Sequence, residues 1–252
     1  MEEYGTSGKH GAACVLAGIV LTTAARPVAG QSAAAQTKAA PAAAETCRRD
    51  DFNGTALDRS RWTTVVRETS DLRVANGNLV LPTSKTDLIW PGDPKLTENI
   101  VLQPLPGTPL TATARLTLAA RQGYQQAGLV VYGDDDNYAK MVFQARGSTA
   151  DARRFQFMRE DNGQPSGKST TDLGAAYPDS VWVRFTSDGR FLRAAYSSDG
   201  VQFTDMLLSE ALDGIANPKI GIISMAGSRG DTPVIDAKFD WFELCPAQPA
   251  RP

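Results

Sequence analysis

The side chains that could do chemistry are concentrated between Tyr124 and Phe143. Two apolar runs, residues 127–132 and 138–143, flank a Gly-Asp-Asp-Asp-Asn sequence, and glutamine, tyrosine and lysine are interleaved with them. Gly133 and Asn137 tolerate the positive φ angles of tight turns, and aspartate side chains bond back to turn amides. The segment therefore predicts a β-hairpin with an aspartate-rich tip and one polar, open face.

Polar side chains with aromatic neighbours recur on one side of the predicted strands. Successive residues of a strand point to opposite faces, so Tyr138, Lys140 and Gln144 oppose Ala139 and Met141. Sugars present hydroxyl groups and C–H patches, and a site for them combines amides or charged donors with aromatic rings. If the strands share one sheet, a face with this composition is made by Tyr138, Lys140, Gln144, Glu160, Trp182 and Arg184. An ordinary solvated face, or a Trp182 buried in a second core, explains the same pattern.

Carboxylates are the other candidates for chemistry. Glycoside hydrolysis needs two carboxyl groups that flank the bond, about 5–5.5 Å apart in retaining enzymes and farther apart in inverting ones. Asp134, Asp135 and Asp136 are clustered, but at a hairpin tip a solvated turn or a calcium contact explains them. Glu98 and Glu160 are isolated along the chain, and their pairing across a cleft stays open.

A structural calcium ion is another use of carboxylates. Asp50, Asp51 and Asp240 lie on the predicted first and last strands of the domain. Calcium takes six to eight oxygen ligands, which carboxylates and backbone carbonyls of neighbouring strands can supply. The sequence therefore predicts a calcium site at these three aspartates, without the spacing of an EF-hand.

Histidine-dependent chemistry is excluded from the predicted mature domain. The only histidine is His10, in the segment that we expect to be removed. Without it, the domain has neither a Ser-His-Asp or Cys-His nucleophile nor a histidine-ligated zinc or iron site.

The first 46 residues are predicted to be an export signal and a linker. Lys9 and His10 precede an apolar run from about residue 11 to residue 25, and small residues follow. Such a run fits a signal peptide and is short for a membrane span. We assign residues 1–30 to the signal and residues 31–46 to a low-complexity, disordered linker. A disordered tail or a membrane anchor is the alternative to a signal. The protein is expected to be secreted, extracellular or periplasmic, and free of the membrane after cleavage.

Two cysteines mark the ends of the folded region, residues 47–245, which a disordered tail follows at 246–252. In an exported chain, Cys47 and Cys245 suggest one disulfide between the first and last strands. Two unpaired buried thiols are the alternative.

The elements between these cysteines are short strands and turns. Residues 110–118 alternate strictly between apolar and polar, and Asn76-Gly77 is a strong hairpin signal. Asp-Gly turns at 188–189 and 199–200, and Asp-Asn-Gly at 161–163, separate further alternating runs. This pattern predicts an all-β fold, a two-sheet antiparallel β-sandwich of jelly-roll type.

Bulk composition restricts the partners. Hydrophobic residues are 42% and charged residues 21% of the chain, as in soluble globular proteins. The net charge is −2, and no basic block is present, so nucleic acid is a poor electrostatic match. The sequence indicates no oligomeric state.

Seven segments, in order, resemble the concanavalin A-like domain found at the C-terminus of many bacterial family 43 β-xylosidases. They are Asp50–Asp58 with Trp62, Asn99–Gln103, Tyr124–Tyr138, Phe155–Glu160, Val181–Phe185, Tyr196–Gly200 and Phe239–Leu244. The resemblance implies a lectin- or glucanase-like jelly roll that acts as an accessory module on carbohydrates. In the xylosidases the domain is attached to a catalytic propeller, whose activity cannot be transferred to this sequence.

The combined prediction is a secreted, non-catalytic module that binds a polysaccharide or oligosaccharide on a concave sheet face. To the six residues of that face the resemblance adds Gln125 and Gln126, of which alternation lets only one point toward the ligand. The alternative is a stand-alone glycoside hydrolase or sugar lyase of the same superfamily, with Asp or Glu as its catalytic groups. Laminarinase-like jelly rolls carry theirs as Glu-x-Asp-x-x-Glu on one strand, and the sequence lacks that run.

Overall fold

The computed structural model describes residues 46–84, 97–106, 109–146, 152–174, 176–227 and 232–246. All of them belong to one of the two units of the chain, Ala44–Pro252. The predicted signal peptide lies outside the described residues, as do the predicted linker except Thr46 and the predicted tail except Pro246.

The described residues form fifteen β-strands and no helix, so none of them belongs to a helix that could cross a membrane. The strands are β1 Arg48–Asp50, β2 Thr64–Val66, β3 Arg73–Ala75, β4 Asn78–Pro82, β5 Ile100–Pro104, β6 Leu110–Thr117, β7 Gln126–Asp134, β8 Asn137–Ala145, β9 Arg153–Asp161, β10 Gln164–Leu173, β11 Ser180–Ser187, β12 Phe191–Ser197, β13 Thr204–Ala211, β14 Lys219–Met225 and β15 Asp236–Pro246. The all-β prediction is confirmed.

The strands build two antiparallel sheets. One has eight strands in the order β13-β12-β11-β6-β15-β4-β3, with β1 also paired to β15. The other has seven strands in the order β10-β9-β8-β7-β14-β5-β2. The predicted hairpin is the β7–β8 pair, at the centre of the seven-stranded sheet, between β9 and β14. The two-sheet sandwich of jelly-roll type is confirmed.

The main core lies between the two sheets and follows the period-2 pattern of the strands. On β6, the four apolar residues of the alternating segment are fully buried: Leu110, Ala112, Ala114 and Leu116. Aromatic pairs join the sheets, since the rings of Phe157 on β9 and Phe185 on β11 lie 5.8 Å apart. The alternation that predicted strands also predicted which side chains form this core.

Asn-Gly pairs make the tight turns that the sequence indicates. Asn76 and Gly77 have φ of 53° and 69°, and Asn162 and Gly163 have 49° and 73°. Two consecutive positive φ angles are those of a type I′ turn, whose twist matches that of the flanking strands.

The tip of the β7–β8 hairpin differs from the prediction of positive φ at Gly133 and Asn137. Neither residue has a positive φ, and the chain reverses at residues 135–136. The close packing of Ile215 requires a glycine at position 133 instead, because a Cβ there would lie 2.9 Å from the Cγ2 of Ile215. The prediction for these two residues was therefore wrong, although the hairpin itself is confirmed.

The predicted disulfide is present between Cys47 and Cys245. It lies beside the pairing of β1 with β15, in which Arg48 is opposite Leu244. The first and last strands are therefore joined both by backbone hydrogen bonds and by a covalent bond.

Candidate functional site

A row of polar side chains crosses three adjacent strands on the outer face of the seven-stranded sheet. The backbone register places Gln126 of β7 opposite Gln144 of β8, and Tyr138 of β8 opposite Glu160 of β9. Directly opposed residues of an antiparallel pair point to the same face. We call this set the polar stripe, and its members are Gln126, Tyr138, Lys140, Gln144, Gln156 and Glu160. The structure thus brings together five of the eight predicted binding residues.

The polar stripe is buried, contrary to the predicted open face. Tyr138, Lys140 and Glu160 have no exposed surface, and Gln126 and Gln144 are each 2% exposed. The physical reason lies in their neighbours, because the same face carries a second apolar cluster. Its buried members are Ile100, Leu102, Val130, Tyr132, Tyr138, Val142, Ile223 and Met225.

Hydrogen bonds satisfy the charged members of the polar stripe. The Nζ of Lys140 donates to the Oε1 of Gln126 at 2.8 Å and lies 3.7 Å from the Sδ of Met225. The hydroxyl of Tyr138 donates to the Oε2 of Glu160 at 2.8 Å. Buried charges are tolerated only with such partners, so these contacts hold the amine and the carboxylate in fixed positions.

Two donors at one end of the polar stripe have no acceptor. The Nε2 of Gln144 and the Nε of Arg154 are both buried and make no hydrogen bond. Arg154 on β9 is opposite Gln144 on β8, so both side chains are on the same face. A buried unsatisfied donor costs about 1–3 kcal/mol, and most such donors in native proteins have a partner. Sequence reasoning missed Arg154, although alternation along β9 places it with Gln156 and Glu160.

Gln125 does not belong to the site. Its Oε1 accepts from the backbone N–H of Arg121 at 2.9 Å, and its Nε2 donates to the carbonyl of Pro233 at 2.8 Å. Both ends of the amide are therefore used to fix the loop before β7. Of the two glutamines, only Gln126 is on the polar stripe, as alternation requires.

Trp182 and Arg184 lie in the other sheet, so the prediction that they share the ligand face was wrong. β11 pairs with β6 and β12 of the eight-stranded sheet. There the guanidinium of Arg115 lies 5.0 Å from the Trp182 ring, and that of Arg184 lies 3.5 Å from the Phe203 ring. Burial lowers the pKa of Arg184. Alternation assigns a face within a strand, but it cannot say to which sheet the strand belongs.

The aspartate-rich tip is only partly a solvated turn. Asp134 and Asp136 are exposed, as predicted, but Asp135 is half-buried. Its carboxylate accepts two hydrogen bonds from Arg67, at 2.7 and 2.8 Å, and one from the hydroxyl of Tyr132 at 2.7 Å. Burial raises the pKa of Tyr132, and the bond to Asp135 raises it further. Asp135 therefore joins the hairpin to the end of β2.

The predicted calcium ligands are not assembled in the structure. Asp50 accepts hydrogen bonds from the indole N–H of Trp62 at 2.8 Å and from the N–H of Phe52 at 2.9 Å. Asp51 is paired with Arg49, and Asp240 with Arg115.

Each of the three carboxylates thus has its own cationic or N–H partner. Within the described part of the chain, the only convergent group of metal-ligand types is Cys47, Glu243 and Cys245, whose sulfurs form the disulfide. Calcium stays an untested prediction, and in the structure these aspartates pair with donors of the protein itself.

A separate pocket of about 410 Å³ lies at one end of the sandwich. It is lined by Thr46, Arg48, Asp58, Ser60, Arg61, Thr63, Gln103, Pro104, Pro106, Leu244 and Pro246. The carboxylate of Asp58 accepts from the N–H and hydroxyl of Ser60, and these bonds lower its pKa. Because these groups are exposed and bond to each other, the polar stripe is the stronger candidate site.

Comparison with a family model identifies the domain. Residues 49–244 match the β-xylosidase C-terminal concanavalin A-like domain. This range includes every strand except the first residue of β1 and the last two of β15. No curated protein matches the chain.

Solved structures share the fold at low sequence identity. The GH43 protein BlXynB from Bacillus licheniformis is 19% identical with a TM-score of 0.66, and Bacteroides ovatus xyloglucan PUL GH43B is 18% identical with 0.64. Each match covers 79% of this chain but only 39% of the other protein. A laminarinase from Flavobacterium sp. UMI-01 is 13% identical with a TM-score of 0.56. The match covers 80% of this chain and 100% of the laminarinase. By the family match over most of its length, this chain belongs to the β-xylosidase C-terminal concanavalin A-like domains.

Proposed function

We propose that this domain is a non-catalytic carbohydrate-binding module that takes a polysaccharide or oligosaccharide on the polar stripe. The observation that carries the proposal is the stripe itself, in which amides, an amine, a phenol and a carboxylate lie on one sheet face among apolar side chains. Directional hydrogen-bonding groups set in an apolar surface suit sugars, which combine hydroxyls with C–H patches. The similarity to family 43 enzymes supports a role on carbohydrates.

The composition of the polar stripe favours binding over hydrolysis. A glycosidase needs two carboxyl groups across the scissile bond, whereas Glu160 is the only carboxylate among the six members of the stripe. Glu160 also accepts a hydrogen bond from Tyr138, which keeps it in place as an acceptor. The laminarinase shares the fold but, at 13% identity, its activity does not transfer.

Ligand entry requires a local opening of the structure, because the central side chains of the stripe have no accessible surface. We expect this conformational step to slow association, as it does in other complexes whose formation requires a change of conformation.

Affinity electrophoresis on a panel of plant and bacterial polysaccharides tests the proposal. Lys140→Met retains the length and apolar stem of the side chain but removes its donors. We expect it to raise the Kd obtained from the retardation at least 10-fold, which corresponds to about 1.4 kcal/mol of binding free energy. Gln126→Met removes the acceptor that orients Lys140, and we expect the same direction of change.

Trp182→Ala is the matched control, because Trp182 lies on the other sheet. It should leave retardation unchanged. Loss of binding in Trp182→Ala with retention in a folded Lys140→Met would contradict the assignment of the site. Release of reducing sugar by the wild-type domain from any polymer of the panel would favour the enzyme instead.

A further inference from the structure

We infer that Gln144 and Arg154 form a subsite for the carboxylate of an acidic sugar, so that the ligand is a uronate-bearing polysaccharide. This inference rests on the proposed carbohydrate-binding function and specifies the class of ligand. The two residues are directly opposed on β8 and β9. In such a pair the Cβ atoms are about 4.5–5.5 Å apart, which is within the span of one bound group.

Both donors of this subsite are buried and lack an acceptor. The Nε2 of Gln144 and the Nε of Arg154 have no hydrogen-bond partner, and Gln144 as a whole is 2% exposed. Buried donors in native proteins nearly always have a partner, and we assign that role here to an oxygen of the ligand.

Gln126, the other neighbour of Gln144, does not satisfy it. The Oε1 of Gln126 accepts from Lys140, and its Nε2 donates to the carbonyl of Tyr124 at 3.1 Å. Both ends of that amide are engaged, so the Nε2 of Gln144 stays available for a ligand.

The charges at this end of the sheet favour an anion over a neutral hydroxyl. Arg154 is opposite Asp172 on β10, but Asp172 is paired with Arg146 at 2.9 Å. Among the residues that the structure describes here, two guanidinium groups thus face one carboxylate, an excess of positive charge that suits an anion. Glu160 is at the far end of β9, roughly 20 Å from Arg154 along the strand.

A carboxylate matches this arrangement in charge and in shape. Its two oxygens accept from two donors at once, and guanidinium–carboxylate hydrogen bonds are about twice as strong as neutral ones. A sugar hydroxyl can also accept from these donors, but it brings no counter-charge to the half-buried guanidinium of Arg154.

The test compares the acidic and the reduced form of each of two polymers. Glucuronic acid-bearing xylan and polygalacturonate are each used before and after reduction of their uronates to neutral sugars. We expect the wild-type domain to bind the acidic form at least 10-fold more tightly in isothermal titration calorimetry. Arg154→Gln and Gln144→Glu should lose this preference and bind the reduced form as the wild type does.

Arg193→Gln is the matched control for charge, because it removes one exposed guanidinium from β12 of the other sheet. It should retain the preference for the acidic form. Arg154→Lys, which retains the charge but loses the planar donor arrangement, should show an intermediate preference. Thermal unfolding confirms that each variant is folded before it is assayed.

The outcomes separate the two proposals. Equal binding of acidic and reduced polymers, or a preference that survives in folded Arg154→Gln and Gln144→Glu, overturns the uronate subsite and leaves the proposed function in place. Binding of neutral polysaccharides alone does the same. Absence of binding to every polysaccharide, acidic or neutral, overturns both.

Discussion

At the scale of single residues, the polar stripe shows how charge is accommodated inside an apolar face. Lys140 and Glu160 have no exposed surface, yet each has a hydrogen-bond partner on a neighbouring strand. Alternation along β8 and β9 predicted that Tyr138, Lys140, Gln144 and Glu160 share a face. It could not predict their burial, because burial depends on the apolar neighbours that β5 and β14 bring from distant parts of the chain.

Asp179 should make the stability of the domain depend on pH. Its carboxylate accepts two hydrogen bonds from Arg121, both at 2.9 Å, and pairs with Arg153 at 2.6 Å. The hydrogen bonds from Arg121 lower the pKa of Asp179 in the folded state. A lowered pKa means that this contribution is complete above the unfolded value of about 3.9 and is lost as the pH falls through the folded value.

We expect Asp179→Asn to lower the free energy of unfolding at pH 7 by about 1–2 kcal/mol, because it leaves buried Arg153 without its counter-charge. The difference between wild type and variant should shrink as the pH falls from 4 toward 2. Urea denaturation at pH 7 and pH 2.5 measures both values. A difference that is equal at the two pH values would show that Asp179 acts through packing rather than charge.

At the scale of elements, the turns are the part of the fold that the sequence specifies most directly. Gly77 has a φ of 69°, and a Cβ there would meet the Oδ1 of Asn53 at 3.6 Å, which is an ordinary contact. Gly77→Ala should therefore cost about 1 kcal/mol from backbone strain alone. Thermal or urea unfolding measures the change.

Gly174→Ala is the control for this substitution. Nothing lies within 4 Å of a Cβ at Gly174, and its φ is not in the left-handed region. This variant should be as stable as the wild type or slightly more so, because alanine reduces the entropy of the unfolded chain. Equal effects at both positions would argue against strain at Gly77.

Other features of the elements depend on distant contacts and were not predictable. The alternation in β11 predicted an outward Trp182 and Arg184 correctly, but the pairing of β11 with β6 assigns them to the opposite sheet. Asp135 looked like part of a solvated tip, and only the approach of Arg67 from the end of β2 shows its structural use. The partners of two aspartates predicted to bind calcium were not predictable either, since Trp62 donates to Asp50 and Arg115 pairs with Asp240.

At the scale of the whole molecule, the disulfide joins the beginning of the folded domain to its end. Cys47 and Cys245 are separated by 198 positions in sequence. We expect Cys47→Ser combined with Cys245→Ser to lower the free energy of unfolding by about 2–5 kcal/mol, because the unfolded chain gains conformational freedom. Urea denaturation of the two proteins measures the loss, and Glu243→Gln, beside the bridge, serves as a local control.

The same bond supports the proposal that the protein works in an oxidising compartment. The test uses the domain purified without reductant from an exported form whose signal has been cleaved. After denaturation, this protein should contain no reactive thiol. Two thiols per chain, from Cys47 and Cys245, would contradict both the bridge and the proposed compartment.

The bridge also makes the domain suitable for insertion into other proteins. The Cα atoms of Cys47 and Cys245 are 4.1 Å apart, so the entry and exit of the chain coincide. A host needs only one surface loop to receive the domain, because its own backbone is barely interrupted at the insertion point. The chain can equally be opened at the Asn76-Gly77 turn and closed at the bridge, which gives a circular permutant with the same sheets and the polar stripe undisturbed.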